Sequence, residues 1–254
     1  MNAVERRVEL KSEKEIAALR AAGKLAAGLL NEVCAQVRPG ITTDELDKVG
    51  AEFIRKNGAK PAFLGYRGFP KTICLSVNDE VVHGIPGGRK LAEGDILGVD
   101  VGVLLNGWYG DTARTVAVGQ IDAQAQRLLI VSKESLERSM DAAKNGGRLG
   151  DISNAMQSVV EKAGFSVVRE YGGHGIGRGL HEDPHVPCLG KAGTGVRLVP
   201  GMVLALEVMA NAGMPEIDHK ADDWTVVTKD GSLSAHFEHT VAITEKGTEV
   251  LTVI

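Results

Sequence analysis

Apolar positions recur along this chain in two rhythms. In "SEKEIAALRAAGKLAAGLLNEVCAQV", Ile16, Leu19, Ala26, Leu29 and Val33 fall on one stripe at helical spacing. Ser12 and Glu15 form a capping box at its start, and Pro39-Gly40 stops it. "TTDELDKVGAEFIRKNG" repeats the grammar, with Thr42 and Glu45 as the box, Leu46, Val49 and Phe53 turned inward, and Gly58 as C-terminal cap. "DAQAQRLLIVSKESLERSMDAAKNGG" and "GDISNAMQSVVEKAG" predict a second helix pair, the latter ending at Gly164. Strands of period two follow each pair, the last two being "WTVVT" and "LSAHFEHTVAIT" on either side of Asp230-Gly231.

The strongest strand signal is "GDILGVDVGVLLNGWYGDTARTVAVG", residues 94–119. Asn106-Gly107 between alternating runs predicts a type I′ hairpin, because that turn needs φ > 0 at both central positions. Leu105 then faces Trp108, and Gly102 faces Asp111. Leu97, Val99, Val101, Val103 and Leu105 make one apolar face for helices to cover. Asp100 and Asp111 share the opposite face as diagonal neighbours, roughly 7–8 Å apart. On a hairpin alone that face is either solvated or a pair of carboxylates converging on a cation.

One unit is used twice. "TDELDKVGAEFIRKNGA" resembles "GDISNAMQSVVEKAGF", and "LAEGDILGVDVGV" resembles "LVPGMVLALEVMA". A shift of 107 residues superposes Gly94 on Gly201 and Asp100 on Glu207. Coincidence between apolar strands is the alternative. A true repeat predicts an α+β domain with internal pseudo-symmetry, sheet inside and helices outside. Its halves would run roughly from 1–119 and 120–254.

Composition narrows the classes. The chain has 254 residues, 43% hydrophobic and 24% charged, an ordinary globular mix with length for one large domain or two fused halves. A net charge of −4 argues against a nucleic-acid surface. No run approaches the roughly 18 apolar residues of a spanning helix. "MNAVERRVELKSEKE" has no apolar core, so no secretory leader is expected. Cys34, Cys74 and Cys188 lack C-x-x-C spacing and read as reduced thiols of a cytoplasmic protein.

Two further acids interrupt apolar strands, Glu207 in "GMVLALEVMA" and Glu238 in "SAHFEHTVAIT". One strand acid is ordinarily a solvated edge residue. Four are costly to bury together unless a cation neutralises them. Hard carboxylates beside an imidazole suit a divalent first-row metal, and this many bridging oxygens suit a pair. "EYGGHGIGRGLHEDPHVP" places His174, His181 and His185 in a glycine-rich loop, which leaves imidazoles accessible. "HEDPH" matches H-E-x-x-H, but that motif works only on a helix, and Gly179 and Pro184 argue against one. "GHGIGRG" lacks dinucleotide-binding spacing.

Taken with "VNDEVVHGIP" and "WTVVTKDGSLSAHFEHTVAIT", these motifs make the chain resemble the type I methionine aminopeptidases over nearly its whole length. The resemblance implies an α+β pita-bread fold, a pseudo-twofold repeat of helices and antiparallel strands around a central curved sheet, in one catalytic domain spanning 1–254. It implies two divalent ions (cobalt, manganese, iron or zinc) on Asp100, Asp111, His174, Glu207 and Glu238. In that scheme Asp100 chelates one ion, Asp111 and Glu238 bridge both, and His174 and Glu207 complete the second site. The implied reaction is removal of the initiator methionine from nascent proteins when the second residue is small. Glu207 would be the acid/base, His181 the oxyanion donor, and His83 the group orienting the second residue's amide. Phe63, Tyr66, Phe69, Cys74, Leu180 and Trp224 would wall the methionine pocket.

Two positions depart from the family pattern: Arg67 stands where a histidine often follows the tyrosine, and Leu180 where an aromatic often precedes the second histidine. Both positions bear on specificity rather than on the chemistry. X-Pro aminopeptidases share the ligand set but usually carry a large N-terminal domain, whereas here the first catalytic motif arrives by His83. A cytoplasmic monomer is expected, acting on nascent N-termini and placed near the ribosomal exit tunnel. Neither a membrane nor a specific nucleic acid is expected as partner.

Overall fold

The computed structural model describes residues 8–254. Both capping boxes form. The Ser12 hydroxyl accepts from Glu15 N–H at the head of α1 (Glu13–Ala35), and Thr42 does the same for Glu45 at the head of α2 (Thr43–Lys56). Strands β1 (Lys60–Pro61), β2 (Cys74–Val77) and β3 (Glu80–Val82) lead into the long hairpin β4 (Ile96–Leu105) and β5 (Trp108–Ala117). Helices α3 (Ala123–Ala142) and α4 (Leu149–Lys162) open the second half of the chain. They are followed by β6 (Ser166–Val167), β7 (Gly172–Gly175), β8 (Glu182–Pro187) and β9 (Val203–Asn211). The chain closes with β10 (Ile217–His219), β11 (Val226–Thr228), β12 (Ser234–Thr244) and β13 (Gly247–Val250).

The large antiparallel sheet runs β1-β4-β5-β12-β9-β7-β8. Helix α1 lies across β4 and β5, and α3 across β9 and β12, so each helix pair covers its own half of one sheet face. The pseudo-twofold shows in matching turns: Gly94 and Gly201 precede β4 and β9 with φ of 92° and 93°. Leu97, Val99, Val101 and Val103 meet Leu29, Leu30, Val33, Leu46 and Ile54 beneath α1 and α2. Val49 and Phe53 are only half-buried, and Ile54 takes the deep position on α2. At Gly110 a Cβ would stand 2.6 Å from the Ala22 backbone, so this glycine sets how closely α1 approaches β5.

The strands around Asp230-Gly231 part company. β12 enters the middle of the large sheet, whereas β11 pairs with β10 and β3 in a separate three-stranded sheet. The chain's last strand is β13, returning along β12, and not "LSAHFEHTVAIT" as the periodicity predicts. The small sheet matters for the site: pairing Val226 with Val82 brings Trp224 beside His83.

Candidate active site

The hairpin turn has φ of 52° at Asn106 and 82° at Gly107, as a type I′ turn requires, with Leu105 opposite Trp108 and Gly102 opposite Asp111. Ala113 lies between Asp100 on one neighbouring strand and Glu238 on the other, and Glu238 in turn faces Glu207. His174 reaches the same wall from β7, opposite Ala205. The acids of both hairpin strands therefore converge with those of β9 and β12 on the sheet face away from the helices. Arg114, three residues beyond Asp111, faces α1 instead and donates to Asn31, so it offers the acids no counter-charge.

Asp111, His174 and Glu238 bring one ligand atom each within 4.8 Å of one another, all three buried. Oδ1 of Asp100, Oδ1 of Asp111 and Oε1 of Glu238 are buried without a hydrogen-bond partner. Burial first, then the neighbouring carboxylates, pushes Asp100, Asp111 and Glu238 well above the usual carboxylate range. Orphaned hard oxygens around an imidazole fit a divalent cation, which supplies the missing charge. His174 fits too. Its Nδ1 lies 2.9 Å from the Gly175 carbonyl, so the ring donates there and leaves Nε2 free 3.9 Å from Asp111 Oδ2. Contrary to the glycine-rich-loop expectation, this histidine sits on a strand and is buried.

His181 does lie in the loop, exposed, with Nδ1 2.8 Å from the Tyr66 hydroxyl and its ring 4.2 Å from that of His174. His83 follows β3 at φ 60°, a left-handed conformation that few residues with a Cβ adopt, and meets Trp224 edge to face. Burial lowers its pKa to about 4, so the ring is neutral. "HEDPH" forms no helix: Glu182–Pro187 is strand β8.

These groups line one cavity of about 280 Å³ together with Phe63, Tyr66, Phe69, Cys74, Leu180 and Trp224. The latter six belong to an apolar cluster of their own, with Phe69 and Trp224 packed edge to face at 5.2 Å. A Cβ at Gly102 would stand 2.6 Å from the Phe63 ring, so β4 lacks a side chain where the slot needs its wall. Every residue named from sequence is therefore in the cavity wall, including Arg67.

His185, the third histidine of the glycine-rich stretch, also lines the cavity, and several lining residues were not named from sequence, among them Glu170, Tyr171 and, most important, His236. His236 is buried, with Nε2 3.1 Å from Glu207 Oε2 but out of line for a directed hydrogen bond. Burial pushes Glu207 up, but His236 outweighs it and holds that carboxylate ionised. His236 stands two residues before Glu238 and thus on its face of the strand, a spacing that could have found it.

Residues 17–245 match the family model described as metallopeptidase family M24. The methionine aminopeptidase of Clostridium perfringens is 51% identical over 96% of this chain and 98% of that protein. Methionine aminopeptidase 1 of Bacillus subtilis is 52% identical over 95% and 98%. The crystal structure of methionine aminopeptidase from Rickettsia prowazekii superposes with a TM-score of 0.96, at 44% identity over 97% of this chain and all of that one. Prolidase from Pyrococcus furiosus shares only the fold, at 22% identity and a TM-score of 0.79, and this chain covers 65% of it. The fold and site define a metal-dependent peptidase of the α+β pita-bread type, the class that the motifs imply. Within metallopeptidase family M24, the chain belongs to the methionine aminopeptidases. Among the described residues no helix is long and apolar enough to cross a membrane.

Proposed function

We propose that this chain removes the amino-terminal methionine of newly made polypeptides whose second residue is small, with two divalent ions on Asp100, Asp111, His174, Glu207 and Glu238. The observation that carries the reading is the adjacency of three unpartnered carboxylate oxygens to a separate apolar slot. Acids alone would bind cations and no more. A slot opening beside them selects the side chain next to the bond that is cut. Aromatic rings and sulfur suit a thioether. Cys74 contributes as a thiol, since burial and then the flanking carboxylates push its pKa well above the ordinary value.

A divalent ion held there, whether cobalt, manganese, iron or zinc, would supply Lewis acidity and make a water more acidic. Asp100 would hold one ion, Asp111 and Glu238 both, and His174 and Glu207 the second. Glu207 takes the proton of the attacking water and passes it to the leaving amine. In the tautomer whose Nδ1 accepts from the Tyr66 hydroxyl, His181 carries its proton on Nε2 and donates it to a developing oxyanion. His83, neutral and fixed against Trp224, orients the amide after the scissile bond. We further infer one catalytic domain of two pseudo-symmetric halves, about 1–119 and 120–254, working as a cytoplasmic monomer on nascent chains near the ribosomal exit tunnel.

The test measures methionine release from Met-Ala-Ser, Met-Phe-Ser and Ala-Pro-Ala peptides with and without chelator. Cleavage of Met-Ala-Ser alone, abolished by chelator and restored by metal, is the expected result. Comparable kcat/KM for Met-Phe-Ser refutes the size selection, and preferred cleavage of Ala-Pro-Ala replaces the reading with X-Pro hydrolysis.

A further inference from the structure

Lys11 is an unusual cation. It lies in the segment entering α1, yet its side chain is only 1% exposed. Its ammonium meets Glu182 Oε2 at 2.7 Å and Glu9 Oε2 at 3.1 Å, and of these Glu182 alone is largely buried. A buried ammonium is costly unless paired, so this contact is a fixed feature and not a surface ion pair. Its backbone is fixed as well, Lys11 N–H donating to the Gly201 carbonyl at 2.7 Å, in the turn that leads into β9.

Glu182 passes the anchorage on. Its other oxygen accepts from Gly179 N–H at 2.8 Å, closing the turn that begins where Gly177 N–H donates to the Gly179 carbonyl. The fit is tight: a Cβ at Gly177 would stand 2.5 Å from Lys11 Cε and 2.7 Å from Glu182 Oε1. His181 immediately precedes Glu182 and is itself exposed, with its ring between Tyr66 and His174. The backbone on its C-terminal side is thus held by a charge pair that reaches outside the cavity.

We propose that Lys11 and Glu182 are positioning residues that fix the 177–182 turn, and through it aim His181 at the reacting carbonyl. The inference rests on the oxyanion role given to His181 above. Neither residue touches substrate. Lys11→Met keeps the length of the buried stem while removing the charge, leaving Glu182 free to turn towards solvent and the turn free to shift. A displacement of about 1 Å at a reacting group costs up to 100-fold in rate, so kcat on Met-Ala-Ser should fall roughly 10- to 100-fold. KM and metal content should stay within about two-fold.

The experiment is steady-state kinetics at 15 °C, below any melting transition, for Lys11→Met, Glu182→Gln, His181→Ala and the doubles Lys11→Met/Glu182→Gln and Lys11→Met/His181→Ala. Melting temperatures and metal content are read beside the kinetics. A pair acting through one turn predicts that the first double is no slower than its slower parent. Action through His181 predicts that Lys11→Met changes nothing further once His181 is alanine. A lowered melting temperature with unchanged kcat in folded Lys11→Met, or multiplicative losses in the doubles, overturns the proposal. Should Lys11→Met fail to fold, Glu182→Gln alone and with His181→Ala decides it by the same criterion. If His181→Ala is itself as fast as the parent enzyme, the oxyanion assignment fails first and the positioning role goes with it.

Discussion

Replacing Asp111 by asparagine should stabilise the metal-free protein and destabilise the metal-loaded one. The sign reverses because the same charge repels its neighbours in one state and holds the ion in the other. Asp111 is 4% exposed, and its ligand oxygen lies within 4.8 Å of those on His174 and Glu238. Two unit charges at that separation repel by about 3 kcal/mol at an effective dielectric of 20. Proton uptake by the raised carboxylates relieves part of this, so Asp111→Asn in chelator should gain about 1–3 kcal/mol. At 2–4 °C per kcal/mol for a chain of this size, that is a rise of roughly 2–12 °C in Tm. With metal at about 100 times Kd, the parent gains about 2.7 kcal/mol, or roughly 5–11 °C. A neutral amide is a poor bridge, so the variant should show less than half of that shift. Calorimetry in EDTA and then in a manganese series reads all four states. A variant that melts below the parent in EDTA, or keeps the full metal-induced shift, refutes the account of the four acids.

The two cavity histidines should separate cleanly. His174→Ala should empty one metal site by elemental analysis, whereas His181→Ala should keep both ions and KM while kcat falls about 10²–10³-fold, roughly 3–4 kcal/mol. Gly110→Ala drives a methyl into the Ala22 backbone at 2.6 Å, and overpacking of this kind costs about 1–3 kcal/mol or more, read as a lowered Tm. Asp44 gives a pH-dependent prediction. Hydrogen bonds from Lys48 and then Lys71 hold its carboxylate at about 2, below 3.8, so its stabilising contribution is present above pH 3.8 and lost as pH falls through 2. Asp44→Asn should therefore lower Tm slightly at pH 6, with the difference closing by about pH 2 and shrinking in high salt.

Local grammar was legible in the sequence wherever the cause is local. Both capping boxes and the Asn106-Gly107 turn depend on backbone groups a few residues apart, so their outcome follows from the residues themselves. The alternation that fixes Leu97, Val99, Val101 and Val103 on one face also fixes Asp100 and Asp111 on the other, which is why the acids stood out before any contact was known. The family motifs likewise named the cavity wall, with Phe63, Tyr66, Phe69, Cys74, Leu180 and Trp224 all lining it.

The tertiary structure decided what depends on which distant strands meet. Periodicity predicts strands around Asp230-Gly231, but strand pairing is a long-range choice, and β11 left for β3 while β12 took the centre of the large sheet. That choice set Trp224 beside His83 and Glu238 beside Glu207. His236 became a partner of Glu207 only because β12 lies against β9, and Lys11 met Glu182 only because α1 enters beside the 177–182 turn. A side chain's face is written in its own strand, but the charge opposite it comes from elsewhere in the chain.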